Sequence, residues 1–268
     1  MNLELLNFGA LEDAPELADP IEAWLKERWG KFTASEIHRL MTSGKAKDSL
    51  SVGAMTYIRE KVAEQLSEFS SNDFSSAAMD WGREHELEAV QKFEELTGIR
   101  VNHTGENQQF ILSECGNWGG TPDGITFESG LEVKCPESKT HLLYLSIIDA
   151  ETLKAEEPKY YWQMQAYMAL TGKAHWHFVS YDPRFYAEHL RLHCCVIERV
   201  QDDVDLMLSR INQAVEKRDA LINQLQRLNY VFSVGDQVRV TRSGHAQDKQ
   251  VGIVQKVEPA GASQLVEV

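Results

Sequence analysis

Apolar positions recur with helical spacing from about Val52 to Leu66 and again from about Ser75 to Leu96, where Gly98 is placed to stop the second helix. Upstream, Asp19-Pro20 opens a helix with Asp as N-cap and Pro in the first turn; it carries Ile21, Trp24 and Leu25 inward and ends near Trp29-Gly30. Thr33-Ala34-Ser35-Glu36 has the form of a capping box, which predicts another helix from Ala34. Gly44-Lys45-Ala46-Lys47-Asp48 reads as a basic loop. Short strands are expected at Arg100 to His103 and at Gln109 to Ser113. A helix follows from about Glu156 to Leu170, closed by Gly172. Two further strand-like runs, His175 to Tyr181 and His189 to Ile197, are joined by Asp182-Pro183, and a long helix is expected from about Asp203 to Leu228. After that the pattern becomes short alternating runs with turn glycines at Gly235, Gly244 and Gly252. The expected organisation is therefore an α/β domain over 1–229 and a small five-strand SH3-like β-barrel over 230–268.

Between the helices lies the segment richest in chemistry, Thr121-Pro122-Asp123-Gly124-Ile125-Thr126-Phe127-Glu128-Ser129-Gly130-Leu131-Glu132-Val133-Lys134. A hairpin turning at Glu128-Ser129-Gly130 folds Asp123 toward Glu132. Period-two alternation puts Glu132 and Lys134 on one strand face. Two carboxylates and a lysine converging on one point suit a hard cation with a charge stabiliser beside it, which is chemistry for cutting a phosphodiester. Taken alone, the motif is equally a hairpin with solvated carboxylates. The strand-like run from His189 to Ile197 also holds His189, His193, Cys194 and Cys195; His189 and His193 would share a face of an alternating strand, but no second ligand pair completes a zinc set, so structural roles are expected.

Composition narrows the setting. The chain has 268 residues, 43% hydrophobic and 25% charged, as expected of a globular protein with one large core. Its net charge of −14 argues against a non-specific nucleic-acid coat but not against a nuclease whose basic groups sit in one groove. Four cysteines, Cys115, Cys135, Cys194 and Cys195, form no C-x-x-C pair and fit reduced thiols. No apolar run is long enough to span a bilayer, and Met1-Asn2-Leu3-Glu4 does not start like a signal peptide, so a cytoplasmic protein without a membrane partner is expected.

The hairpin resembles the core of the PD-(D/E)xK nuclease superfamily, and further motifs narrow the resemblance. Trp81-Gly82-Arg83-Glu84-His85-Glu86 precedes the hairpin on a helix, Lys134 continues into Cys135-Pro136, and Gln163-Met164-Gln165-Ala166-Tyr167 fits a Q-x-x-x-Y helix. Trp24-Leu25-Lys26-Glu27-Arg28 leading into Thr33-Ala34-Ser35-Glu36, and Tyr181-Asp182-Pro183-Arg184, complete the set in order. From about Trp24 to Val200 the chain resembles the phage lambda exonuclease family, the YqaJ-type viral recombinases. The resemblance implies a restriction-endonuclease-like core with a mixed central sheet flanked by helices. It implies a Mg²⁺-dependent exonuclease, with Mn²⁺ as substitute, that degrades one strand of linear double-stranded DNA 5′→3′ to mononucleotides. The 3′ overhangs would serve recombination by strand annealing, with a single-strand annealing protein as partner and a homotrimeric ring as the assembly.

Carried over residue by residue, the resemblance makes Asp123 and Glu132 metal ligands, aided by the backbone carbonyl of Val133. Lys134 would polarise the attacking water, its pKa lowered beside the metals; Glu86 would orient a second metal or its waters; Gln163 would position the nucleophile, with Tyr167 supporting the helix. Arg28, Ser35 and Thr121 match a pocket for the terminal 5′-phosphate, Lys45 and Lys47 a DNA-backbone contact, and Met79 an apolar wedge. Each also has a plain reading: Glu86 as an exposed helical residue, Arg28 and Ser35 as surface residues near helix ends, Lys45 in a solvated loop, Met79 and Tyr167 as packing. Glu114 is the carboxylate nearest the strand position where the family carries one more. An endonuclease of the same superfamily and a non-catalytic DNA-end-binding factor are the alternatives; a terminal-phosphate pocket disfavours the first and the intact Asp123, Glu132 and Lys134 the second.

Overall fold

A computed structural model describes residues 27–46, 49–67, 77–226, 234, 237–239, 251–253, 256–260 and 263–267; of residues 77–80 and 83 it describes the backbone only. The chain divides into two compact units, 1–216 and 217–268.

In the first unit the elements run β1 (Phe32–Thr33), α1 (His38–Met41), α2 (Val52–Leu66), α3 (Ala77–Thr97), β2 (Ile111–Leu112), β3 (Trp118–Gly120), β4 (Gly124–Ile125) and β5 (Gly130–Lys134). Then come α4 (Ser138–Tyr144), α5 (Ala150–Glu156), α6 (Pro158–Thr171), β6 (His175–Tyr181), β7 (Leu192–Glu198) and α7 (Gln201–Gln226), whose last turns belong to the second unit. The central sheet has the order β4-β5-β6-β7. Only β5 and β6 are parallel; both outer pairs are antiparallel, so the sheet is mixed as expected. A parallel neighbour needs a crossover, and α4, α5 and α6 supply it. A small second sheet, β1-β3-β2, pairs β1 with β3 in parallel and β3 with β2 antiparallel.

Strand β5 lies between β4 and β6 and is buried on both faces. One face, Leu131 and Val133, joins Ala89, Val90 and Phe93 of α3 in an apolar cluster with Val179 and Tyr181. The opposite face carries Glu132, at 0% exposure, toward Gln163 of α6. Helix α6 presents no polar outer side over most of its length: Tyr161 to Met168 are all buried. Its C-terminus is closed by Gly172 at φ 72°, a conformation glycine takes without a Cβ clash.

Several expectations need correction. Thr33 does not cap a helix: its N–H donates to the Tyr57 hydroxyl, it belongs to β1, and a 3₁₀ turn over Ala34–Glu36 follows without a side-chain cap. Pairing with β3 claims the backbone that a helix start would use. Arg100 to His103 forms only a bridge between Asn102 and Ile125. His189 is in a 3₁₀ turn, Glu188–Leu190, not on β7, so it shares no strand face with His193, whose Nε2 lies 2.7 Å from the Ile147 carbonyl oxygen. Helices α4 and α5 were not expected. The helix proposed from Asp19 lies outside the described residues except for its end at Glu27-Arg28.

In the second unit, β8 (Gln237–Arg239) pairs antiparallel with β9 (Val251–Ile253), and β10 (Lys256–Ala260) with β11 (Ser263–Glu267). Closure of these ladders into a barrel lies outside the described residues.

Gly130 opens β5 where a Cβ would fall 2.2 Å from the Trp176 ring, a fully buried side chain. We expect Gly130→Ala to destabilise the protein by about 1–3 kcal/mol through overpacking. A urea midpoint equal to wild type would show that the ring yields without cost.

Candidate active site

The site forms where β4, β5, α3 and α6 meet. Asp123 immediately precedes β4, and its Oδ2 accepts the Val133 N–H at 2.7 Å. Glu132 and Lys134 share the β5 face turned to α6, as alternation requires. Lys134 Nζ lies 2.5 Å from Glu132 Oε1 and 3.8 Å from Asp123 Oδ2, so one ammonium bridges both carboxylates. Gln163 Nε2 donates to Glu132 Oε2 at 3.0 Å and to the Tyr167 hydroxyl at 2.9 Å. The Tyr167 hydroxyl in turn donates to the Thr121 carbonyl at 2.8 Å. Tyr160 of α6 places its ring 5.0 Å from Lys134 Nζ, in cation–π range.

Glu86 reaches the same region from α3. Its hydrogen bond is to Gln108, whose Nε2 donates to Glu86 Oε1 at 2.6 Å. It feels the others electrostatically: burial first, then the Asp123 charge, push its carboxyl up to about 7. Burial and then Asp123 raise Glu132 to about 8, and burial raises Asp123 as well. Burial alone would lower Lys134, but Glu132 and Asp123 outweigh it and hold the ammonium above the ordinary lysine range. In the metal-free site the two adjacent carboxylates keep the proton on; the lowering expected of Lys134 concerns the site with metal bound.

Three carboxylates thus face one lysine, an excess of buried negative charge that a divalent cation would neutralise. The oxygen donors are of the hard type that suits Mg²⁺ or Mn²⁺. Among the described residues no three His, Cys, Asp or Glu side chains stand together as a ready-made ligand set. The donor pair is Asp123 and Glu132, adjoining the Val133 backbone, with Glu86 set apart from them.

Arg28 donates to the Thr121 hydroxyl and lies with its guanidinium 4.8 Å from the Phe110 ring centre. Burial lowers it to about 10. Ser35, in the 3₁₀ turn, has its hydroxyl 3.4 Å from that of Thr33. Lys45 is exposed in its loop. Met79 lies on α3, its side chain outside the description, and Lys47 is outside the described residues. Glu114 is exposed in the turn between β2 and β3, not on a strand, and so is removed from the carboxylate group.

The YqaJ-like viral recombinase domain matches residues 23–174, more than half of the chain and every element of this site. The chain belongs to the YqaJ-like viral recombinase family. Among solved structures it is similar to the alkaline exonuclease LHK-Exo of Laribacter hongkongensis, at 30% identity over 77% of this chain and 97% of that one, with a TM-score of 0.64. The same figures hold for LHK-Exo in complex with dAMP. A phage-related exonuclease from Haemophilus somnus 129PT shares the fold at 18% identity, over 73% of this chain and 96% of that one, with a TM-score of 0.60. No curated protein sequence matches.

Two contributors escape sequence reasoning. Tyr160 had a signal: it lies three residues before Gln163 on the same helix and so on the same face. Gln108 had none, being one amide in the polar run Glu106-Asn107-Gln108-Gln109.

The raised carboxyls have a testable consequence for stability. A folded-state pKa above the unfolded 4.5 means that the folded protein holds its protons more tightly, so stability is full below pH 4.5 and is lost as pH rises through about 7 for Glu86 and about 8 for Glu132. In metal-free protein in EDTA these two carboxyls pull stability down from pH 4.5 to 8, against half-buried His38 and buried His141 and His177, whose lowered pKa values pull it up as pH rises toward about 6.5, so the carboxyl effect is read by difference. Glu86→Gln should raise the Tm at pH 8 and leave it unchanged at pH 4.5; equal Tm values for variant and wild type at both pH values would contradict the charge excess.

Proposed function

We propose that this chain is a metal-dependent exonuclease that degrades one strand of linear duplex DNA from the 5′ end and leaves 3′ overhangs for recombination. The observation that carries it is the single Lys134 ammonium bridging Asp123 and Glu132 across adjacent strands. The family and the likeness to an alkaline exonuclease support the reading, as do the dAMP of that relative and the clustering of Arg28 with Thr121 two residues before Asp123.

Asp123, Glu132 and the Val133 carbonyl would hold Mg²⁺ or Mn²⁺, with Glu86 oriented toward its water shell. Bound metal would neutralise phosphate charge and lower the pKa of a coordinated water. Lys134, beside both carboxylates, would hold and polarise the attacking water and stabilise charge that builds on the phosphate oxygens. Gln163 fixes the Glu132 carboxylate. Arg28 offers a forked guanidinium to a terminal 5′-phosphate beside the Thr121 hydroxyl to which it donates, with Ser35 as a further candidate donor. A homotrimeric ring around duplex would hold an acidic protein on its substrate by topology, and a single-strand annealing protein would take up the exposed 3′ strand.

Linear duplex DNA should be digested with Mg²⁺ or Mn²⁺, and closed-circular DNA or EDTA should give no product. Asp123→Ala, Glu132→Ala and Lys134→Ala should each lose about 100-fold or more of the rate. Any one of the three, folded and cutting at the wild-type rate, would remove the site assignment.

Terminal recognition is separable. A 5′-phosphorylated end should be cut faster than a 5′-hydroxyl end, and Arg28→Ala should erase roughly 10-fold or more of that preference while Lys45→Ala leaves it. Equal rates of wild type on both ends would eliminate the phosphate pocket.

A further inference from the structure

We infer that Gln108 is a positioning residue that orients Glu86 for metal binding, an inference that rests on the function proposed above. Each carboxylate of the site is held by an N–H donor. Asp123 takes the Val133 N–H, Glu132 takes the amide of Gln163, and Glu86 takes the amide of Gln108 at 2.6 Å. Gln108 is to Glu86 what Gln163 is to Glu132, although it is 22 residues from Glu86 in sequence.

The loop that delivers Gln108 is fixed at both ends to the site. At its start Asn102 exchanges both backbone hydrogen bonds with Ile125 of β4, two residues beyond Asp123. His103 and Gly105 then take positive φ, 56° and 57°, and turn the chain back into a 3₁₀ turn over Gly105–Asn107. Gly105 packs on α3: a Cβ there would sit 3.1 Å from Leu87, the residue after Glu86. The Gln108 N–H closes the turn on the Gly105 carbonyl, so the backbone under the amide is fixed before the side chain reaches out. Beyond it, Ile111 pairs with Gly120 of β3. The loop is therefore registered against β4, which carries Asp123, and against α3, which carries Glu86. Donors that fix a ligand's orientation set metal affinity without touching the metal. Gln108 also borders an open groove of about 700 Å³, so changing its side chain opens no void inside the core.

The test is Mn²⁺ binding by calorimetry on the full chain, wild type, Gln108→Leu, Gln108→Glu, Glu86→Gln and the double variant Glu86→Gln with Gln108→Leu. Gln108→Leu removes the donor, and Gln108→Glu keeps the length but sets a second carboxylate against Glu86. Both should weaken Mn²⁺ binding by about 10–100-fold while each variant keeps a single cooperative unfolding transition in EDTA. In the Glu86→Gln background, Gln108→Leu should change affinity by less than about twofold, because the group it orients is gone. Wild-type affinity in both Gln108 variants, or a Gln108→Leu loss that adds in full to that of Glu86→Gln, overturns the inference while leaving the proposed function intact. A wild-type chain that takes up no Mn²⁺ overturns both.

Discussion

The shared ammonium of Lys134 is the interaction on which the site depends. Glu132 has no exposure to water, and an isolated carboxylate in that position would be costly to ionise. Lys134 compensates only because it is two residues along the same strand and therefore on the same face. The other face of β5 cannot help, since Leu131 and Val133 are committed to the apolar cluster against α3. The five residues Gly130–Lys134 thus divide one strand between two duties: one side closes the core and the other carries the charge.

The second helix layer must accommodate that charge. Helix α6 does so with one stripe, Tyr160, Gln163 and Tyr167, spaced three and four residues apart. Tyr160 contributes a ring face to the ammonium, Gln163 an amide to the carboxylate, and Tyr167 a hydroxyl that ties the helix back to the Thr121 backbone. For Tyr167 to come that near, β3 must give up a side chain: a Cβ on Gly120 would lie 2.7 Å from its ring. A small residue in one sheet is thus a condition for the geometry of a carboxylate in the other.

The parts legible in the sequence were those with local causes. Helix α2 has the bounds its periodicity implies, α3 stops where Gly98 ends it, and β6 runs from His175 to Tyr181 as alternation suggests. Asp123, Glu132 and Lys134 come together through hairpin turn and strand period, which are short-range rules, whereas Gln163, 31 residues from Glu132, was legible only through the family resemblance. What failed was decided by partners far away in sequence. Thr33 has the chemistry of a cap, yet pairing with β3 makes it a strand residue. His189 alternates with His193 on paper, but the Asp182 turn, closed by Arg184 on both the Asp182 carboxylate and the Pro136 carbonyl, delays β7 until Leu192. Gln108 is placed by the Asn102–Ile125 bridge, a non-local contact with no signature in the residues themselves.

One continuous path of hydrogen bonds links the two halves of the proposed reaction. Glu132 accepts from Gln163, whose amide also reaches the Tyr167 hydroxyl; that hydroxyl donates to the Thr121 carbonyl, and Arg28 donates to the Thr121 side chain. The guanidinium proposed to read a 5′-phosphate is therefore referenced to the carboxylate proposed to hold metal through three residues, Thr121, Tyr167 and Gln163, the last two of them buried. Such a path fixes a distance. An enzyme that recognises the end of a strand and cuts at a set distance from it needs the two sites to keep their separation while DNA moves between them. A link through Gln163 and Tyr167 of α6 meets that need better than two sites on independent loops, because both ends are hydrogen-bonded to one buried helix or to Thr121, which that helix holds. The link in turn depends on Gly120, whose missing side chain lets α6 bring Tyr167 against β3.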